Sequence, residues 1–129
     1  MENLVRQRVD RFTQMLFKLL ASPIFGFKDS KMTPRAPGVY IIYDKEKNNV
    51  IYAGESGDLR RRLFTNHLSG NVEASAFRKA LSKAIGLSNE DEISRQVKER
   101  CVFQFLEIDA ERKMFEYFII AVLDPELQR

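Results

Sequence analysis

"GVYIIYDKEKNNVIYAG", residues 38–54, decides the fold. Two runs rich in β-branched and aromatic residues, GVYIIYD and NVIYAG, flank Lys45-Glu46-Lys47-Asn48, a polar turn of loop formers, as in a β-hairpin. Side chains on a strand alternate between faces, so Tyr40 and Tyr52 share a face when paired positions sum to an even number. Pairing Tyr40 with Tyr52 leaves Asp44 to Asn48 as a five-residue loop and is the expected register. Taken alone, the two tyrosines read as a cross-strand aromatic pair in a core.

Before the hairpin, Leu4, Val5, Val9, Phe12, Met15, Leu16, Leu19 and Leu20 recur at intervals of three and four, which predicts an amphipathic packing helix ending near Ser22-Pro23. A Pro-, Gly- and Lys-rich loop then leads to Gly38. After it, "SGDLRRRLFTNHLSGN" predicts a helix capped by Ser56 or Asp58 and ended by Gly70. "EASAFRKALSKAIG" predicts another, with Ala76, Phe77, Ala80, Leu81 and Ile85 inward, and "NEDEISRQVKER" a third with an acidic start. "CVFQFLEI" alternates like a strand, and "DAERKMFEYFIIAVL" is a terminal helix stopped at Pro125. The order implies an α+β fold, a small, mostly antiparallel three-stranded sheet flanked by helices with an extra N-terminal helix.

The composition allows one domain of 129 residues, 44% hydrophobic and 30% charged, with residues 1–36 as helix and loop and 37–128 as the core. No run is apolar enough to span a membrane, and "MENLVRQRVDRF" lacks the order of a signal peptide, so a cytoplasmic protein is expected. One cysteine and one histidine exclude an internal disulfide and a Cys/His zinc site; Cys101 reads as a buried strand residue.

The formal charge of +3 is concentrated after the hairpin. Between Asp58 and Lys83, the cations Arg60, Arg61, Arg62, Arg78, Lys79 and Lys83 outnumber Asp58 and Glu73, and a helix opening on three arginines suits phosphate. Such a run is also what a solvated face looks like. Glu116 has Ile120 and Leu123 four and seven residues on, an apolar face on which a carboxylate requires a cation, either Arg112 or Lys113 at a surface edge or a bound metal.

"GVY", eleven residues, "YAG", then Arg62 eight residues beyond Gly54 and a lone helical glutamate before a proline together resemble the GIY-YIG endonuclease family. That family includes the incision module of bacterial excision repair, intron-encoded homing endonucleases and some restriction enzymes. The resemblance covers roughly Pro37 to Gln128 and leaves out the N-terminal helix. It implies a metal-dependent DNA endonuclease, with Gly38 and Gly54 structural and with Tyr40 and Tyr52 pointing at the scissile phosphate from one solvent-open face. Tyr40 would be base or proton relay, Tyr52 would position, and Arg62 would contact the phosphate. Glu116 would be the single protein ligand of one Mg2+ or Mn2+ ion, while Arg60, Arg61, Arg78, Lys79 and Lys83 would hold the DNA backbone.

Two positions depart from the family pattern. A histidine or tyrosine usually stands four residues after the arginine, where this chain has Asn66; His67, five on, lies about 140° around an ideal helix from Arg62 and reaches the site only if the helix unwinds or bulges near Thr65. Where the family often has an asparagine twelve residues after the glutamate, this chain has Gln128, next to last. A catalytically inactive nucleic-acid-binding module on the same fold is the competing expectation. With no appended recognition domain in view, specificity would come from DNA shape, from a partner protein or from a second copy in a homodimer.

Overall fold

The computed structural model describes all 129 residues. Helix α1 (Glu2–Ala21) leads into a two-residue strand β1 (Phe25–Gly26) and a 3-10 helix (Phe27–Met32). The hairpin strands β2 (Gly38–Asp44) and β3 (Asn49–Ser56) are followed by a π-helix (Arg61–Leu68), α2 (Ala76–Ile85) and α3 (Glu90–Arg100). Strand β4 (Cys101–Glu107), α4 (Arg112–Leu123) and a 3-10 turn (Glu126–Gln128) complete the chain. The sheet is antiparallel with the order β1-β4-β2-β3, so it has four strands rather than three. The extra strand is too short to leave a periodic signature, and it lies in the stretch expected to be loop. No helix is long and apolar enough to cross a membrane.

β2 is central and covered on both faces, which is why GVYIIYD is apolar almost without alternation. Tyr40 and Ile42 face a core closed by the π-helix, α2 and α3 through Leu59, Leu63, Phe77, Ile93 and Val97. Val39 and Ile41 face the opposite core, closed by α1 and α4 through Phe12, Leu16, Leu19, Phe115 and Ile119. Only the second half of α1 packs; every residue from Met1 to Arg11 is exposed, so Leu4, Val5 and Val9 cover nothing, contrary to a helix that packs along its length.

The hairpin register differs from the expected one by two residues. Tyr40 pairs with Gly54 and Ile42 with Tyr52, and a bulge at Ile51 then brings Tyr43 opposite Val50 and Asp44 opposite Asn49. The loop is therefore Lys45–Asn48, stabilised by Asp44 Oδ1, which accepts from the Glu46 N–H at 2.9 Å. Even parity survives the shift, so both tyrosines remain on one face.

Candidate active site

The site is built around the free edge of β3. Because β2 lies on one side of β3, the outward backbone groups of Ala53 and Glu55 need other partners. The Gln128 carboxamide serves Ala53 twice: its Oε1 accepts from the Ala53 N–H at 2.8 Å and its Nε2 donates to the Ala53 carbonyl at 2.7 Å. Gln128 is thus pinned to the edge strand through both ends of its carboxamide. Two residues further on, the Glu116 carboxylate faces the Glu55 N–H, which favours its charged form. This edge contact lets a residue of α4, which covers one face of the sheet, reach the tyrosines on the other.

Tyr40 is fully buried, not open to solvent; its ring lies across Gly54, where a Cβ would collide with the phenol hydroxyl. That hydroxyl meets His67 Nε2 at 2.7 Å, and His67 Nδ1 meets Ser75 Oγ at 2.8 Å. Arg62, half-buried, brings positive charge to the phenol, which favours its ionised form. Both imidazole nitrogens of His67 are thus hydrogen-bonded, Nε2 to a phenol and Nδ1 to a hydroxyl. Tyr52, half-buried, packs edge-on against the imidazole with ring centres 5.9 Å apart.

His67 reaches Tyr40 through the π-helix. Its i→i+5 bonding, seen in the Ser69 N–H bond to the Phe64 carbonyl at 3.0 Å, takes up one extra residue per turn. Four faces then repeat every four residues: Arg61, Thr65 and Ser69 outward, Arg62 and Asn66 toward an open cleft, Leu63 and His67 inward, Phe64 and Leu68 on the remaining side. The cleft, of about 540 Å³, is lined by Ser56, Gly57, Asp58, Arg61, Arg62, Asn66 and Ala74. Asn66 stays in the cleft wall and His67 takes the place beside Tyr40.

Charge in the site is strongly perturbed. Burial pushes the Tyr40 phenol well above its ordinary range, with the neighbouring Tyr52 adding to the rise. Burial, then the charges of Arg62 and Arg78, lower His67 to about 3, so the imidazole is neutral at physiological pH. Burial and the charge of Glu55 raise Glu116 above the usual carboxylate range.

Glu116 forms no ion pair; Arg112 instead pairs with Glu55 at 3.4 Å. A half-buried carboxylate that forms no ion pair, beside a second carboxylate, is suited to a hard divalent ion. No three Asp, Glu, His or Cys side chains converge anywhere in the molecule, so the protein offers such an ion one carboxylate and leaves room for water and phosphate oxygens, as magnesium accepts. Glu55 is not among the residues expected from the sequence, where a carboxylate on a strand edge has no periodic mark; its place immediately after Gly54 is the one available signal.

The basic residues divide. Arg61, Lys79 and Lys83 are exposed. Arg60 is half-buried, its Nε donating to the Thr33 carbonyl at 2.7 Å. Arg78 is fully buried and is not available to DNA: it donates to the His67 and Leu68 carbonyls, to Ser94 Oγ and to Glu90, closing the end of the π-helix. Position 78 shares a helical stripe with Leu81 and Ile85, which places it on the inner face.

A hairpin carrying two same-face tyrosines, an arginine-bearing helix and a carboxylate at the sheet edge defines a nuclease-type catalytic domain. Residues 36–127 match the GIY-YIG catalytic domain family, and the chain belongs to it. In fold it is similar to the GIY-YIG N-terminal endonuclease domain of UvrC from Thermotoga maritima. A tyrosine-to-phenylalanine mutant of that domain bound to its catalytic divalent cation gives a TM-score of 0.50 and 22% identity over 78% of this chain and 91% of that one. The magnesium-bound form gives a TM-score of 0.46 and 22% identity, with coverage of 78% and 91%. No curated protein sequence matches the chain.

Proposed function

We propose that this protein is a divalent-metal-dependent DNA endonuclease that hydrolyses phosphodiester bonds at a single site formed by Tyr40, Tyr52, Arg62, His67 and Glu116. The observation that carries the reading is the Tyr40 hydroxyl bonded to the Nε2 of a neutral histidine at 2.7 Å, beside an arginine and a carboxylate that forms no ion pair.

Arg62 binds the scissile phosphate from the cleft and offsets charge developing on it. In doing so it frees the phenol oxygen, which takes a proton from the attacking water as its own passes to a phosphate oxygen, while neutral His67 holds the hydroxyl in place. Ser75 keeps the imidazole oriented through its hydrogen bond to Nδ1. Tyr52 borders the phosphate and fixes the imidazole plane. Glu116 would hold one Mg2+ or Mn2+ ion, which supplies Lewis-acid stabilisation of the leaving oxygen. Arg61, Lys79 and Lys83, with the free end of Arg60, hold the DNA backbone and confer affinity without sequence preference.

The test is cleavage of supercoiled, linear, single-stranded and branched DNA with magnesium, beside Glu116→Gln and Tyr40→Phe. Both variants are expected to keep the fold and lose at least about a hundredfold in rate. Salt-sensitive binding without cutting by the wild type, in magnesium or manganese, would return the chain to the inactive DNA-binding reading.

A further inference from the structure

The side of the π-helix away from the catalytic cleft carries a second basic trough. It is an open groove of about 650 Å³ where the π-helix, the 3-10 helix and α3 meet, lined by Lys28, Lys31, Phe64, Leu68, Ser69, Asp91, Ser94, Arg95 and Lys98. Two independent periodicities build it. Lys28 and Lys31 are three residues apart on a 3-10 helix, where such positions eclipse. Asp91, Ser94, Arg95 and Lys98 lie on one face of α3. Arg95 is occupied by Glu92 and Glu99 and Asp91 adds one unpaired carboxylate, but Lys28, Lys31 and Lys98 are exposed, belong to no ion pair and outnumber it. Lys98 lies far from the other two along the chain, so no run of charge marks the trough in the sequence.

Between cleft and trough runs the exposed ridge of Arg61, Thr65 and Ser69, so positive charge flanks both sides of one helix. A helix with side chains is about 10–12 Å across, and the major groove of duplex DNA is about 12 Å wide with a phosphate backbone on each side. We propose that the Lys28–Lys31–Lys98 trough binds the phosphate backbone of the uncut strand of duplex DNA, with the π-helix ridge lying along the major groove. This rests on the nuclease reading, since it takes the cut strand to occupy the Arg62 cleft. It makes duplex DNA, rather than single-stranded DNA, the preferred substrate form.

The experiment uses the full chain carrying Glu116→Gln, so that DNA stays uncut, with and without Lys28→Gln, Lys31→Gln and Lys98→Gln together. Affinity for duplex and single-stranded oligonucleotides is measured against salt concentration. The triple variant is expected to bind duplex DNA at least tenfold more weakly at low salt. Its slope of log affinity against log salt should fall by two to three, at about 0.9 for each phosphate that is no longer neutralised. Single-strand affinity should stay within about twofold. Arg61→Gln, in the cleft, should weaken both. An unchanged duplex slope, or equal weakening on duplex and single strand, overturns the trough while leaving the nuclease site standing; absence of any DNA binding by the parent overturns both.

Discussion

The Tyr40 hydroxyl has one proton and two polar neighbours, and the arrangement works only while His67 stays neutral. Burial holds His67 at about 3 in the folded chain, against an ordinary value of 6.5. Between those values the unfolded chain binds a proton that the folded chain does not, so stability falls as pH drops through 6.5 and the decline levels off below about 3. The slope from this residue is about 1.4 kcal/mol per pH unit. Urea unfolding across pH 7 to 4 should therefore show the advantage of the wild type over His67→Gln shrinking by about that amount per unit. Parallel curves would mean that the imidazole is reached by protons in the folded state. For the same reason the cleavage rate should show no acid limb near 6.5; a falling rate at low pH belongs to Glu116, whose carboxyl must ionise to hold a cation and whose pKa lies above the usual carboxylate range. Much of this was legible from residue types and spacing. That Tyr40 would be enclosed was not, because parity assigns a face without saying what covers it.

At the scale of elements, the π-helix converts a spacing of five residues into a shared site. Nothing in the residue types of RRLFTNHL favours i→i+5 bonding; the faint signal is Leu59, Leu63 and His67, all buried at a strict interval of four. Deleting exposed Thr65 restores the four-residue spacing from arginine to histidine without removing a packed side chain. The deletion variant should melt at a higher temperature and cut DNA within about tenfold of wild type. A lower melting temperature would show that neighbouring elements, not the local sequence, require the π turn. Arg78 is the other support of this helix, its guanidinium serving two of the last carbonyls. Arg78→Met keeps the aliphatic stem but leaves buried acceptors unpaired, so it should cost about 3–5 kcal/mol in urea unfolding. A cost below about 1 kcal/mol would put Arg78 back among surface cations. Charge counting along the chain placed it with the DNA contacts because the sequence does not show that the end of a neighbouring helix needs closing.

On the scale of the whole molecule, the sheet divides the labour. One face and its helices hold the tyrosines, the histidine and the arginines; the other holds the packing of α1 and α4, and Glu116 crosses between them at the free edge of β3. The α+β class and the helix order follow from periodicity, but this crossing depends on which strand is outermost, and that is set by the non-local pairing of β2 with β4. α1 is the least integrated element. Phe12, Leu16 and Leu19 anchor it, with the Phe12 ring stacked 5.9 Å from that of Phe115, whereas residues 1–11 are all exposed. A chain lacking residues 1–8 should accordingly unfold within about 1 kcal/mol of the full chain, while Phe12→Ala should lower stability by about 3–5 kcal/mol. Cleavage by the shortened chain should be unchanged, because no residue of this overhang touches the sheet edge where Gln128 and Glu116 complete the site. If removing residues 1–8 lowers stability as much as Phe12→Ala does, the overhang is packed in solution in a way that its apolar stripe of Leu4, Val5 and Val9 permits, and a concentration-dependent melting temperature of the full chain would identify a second copy as what covers it.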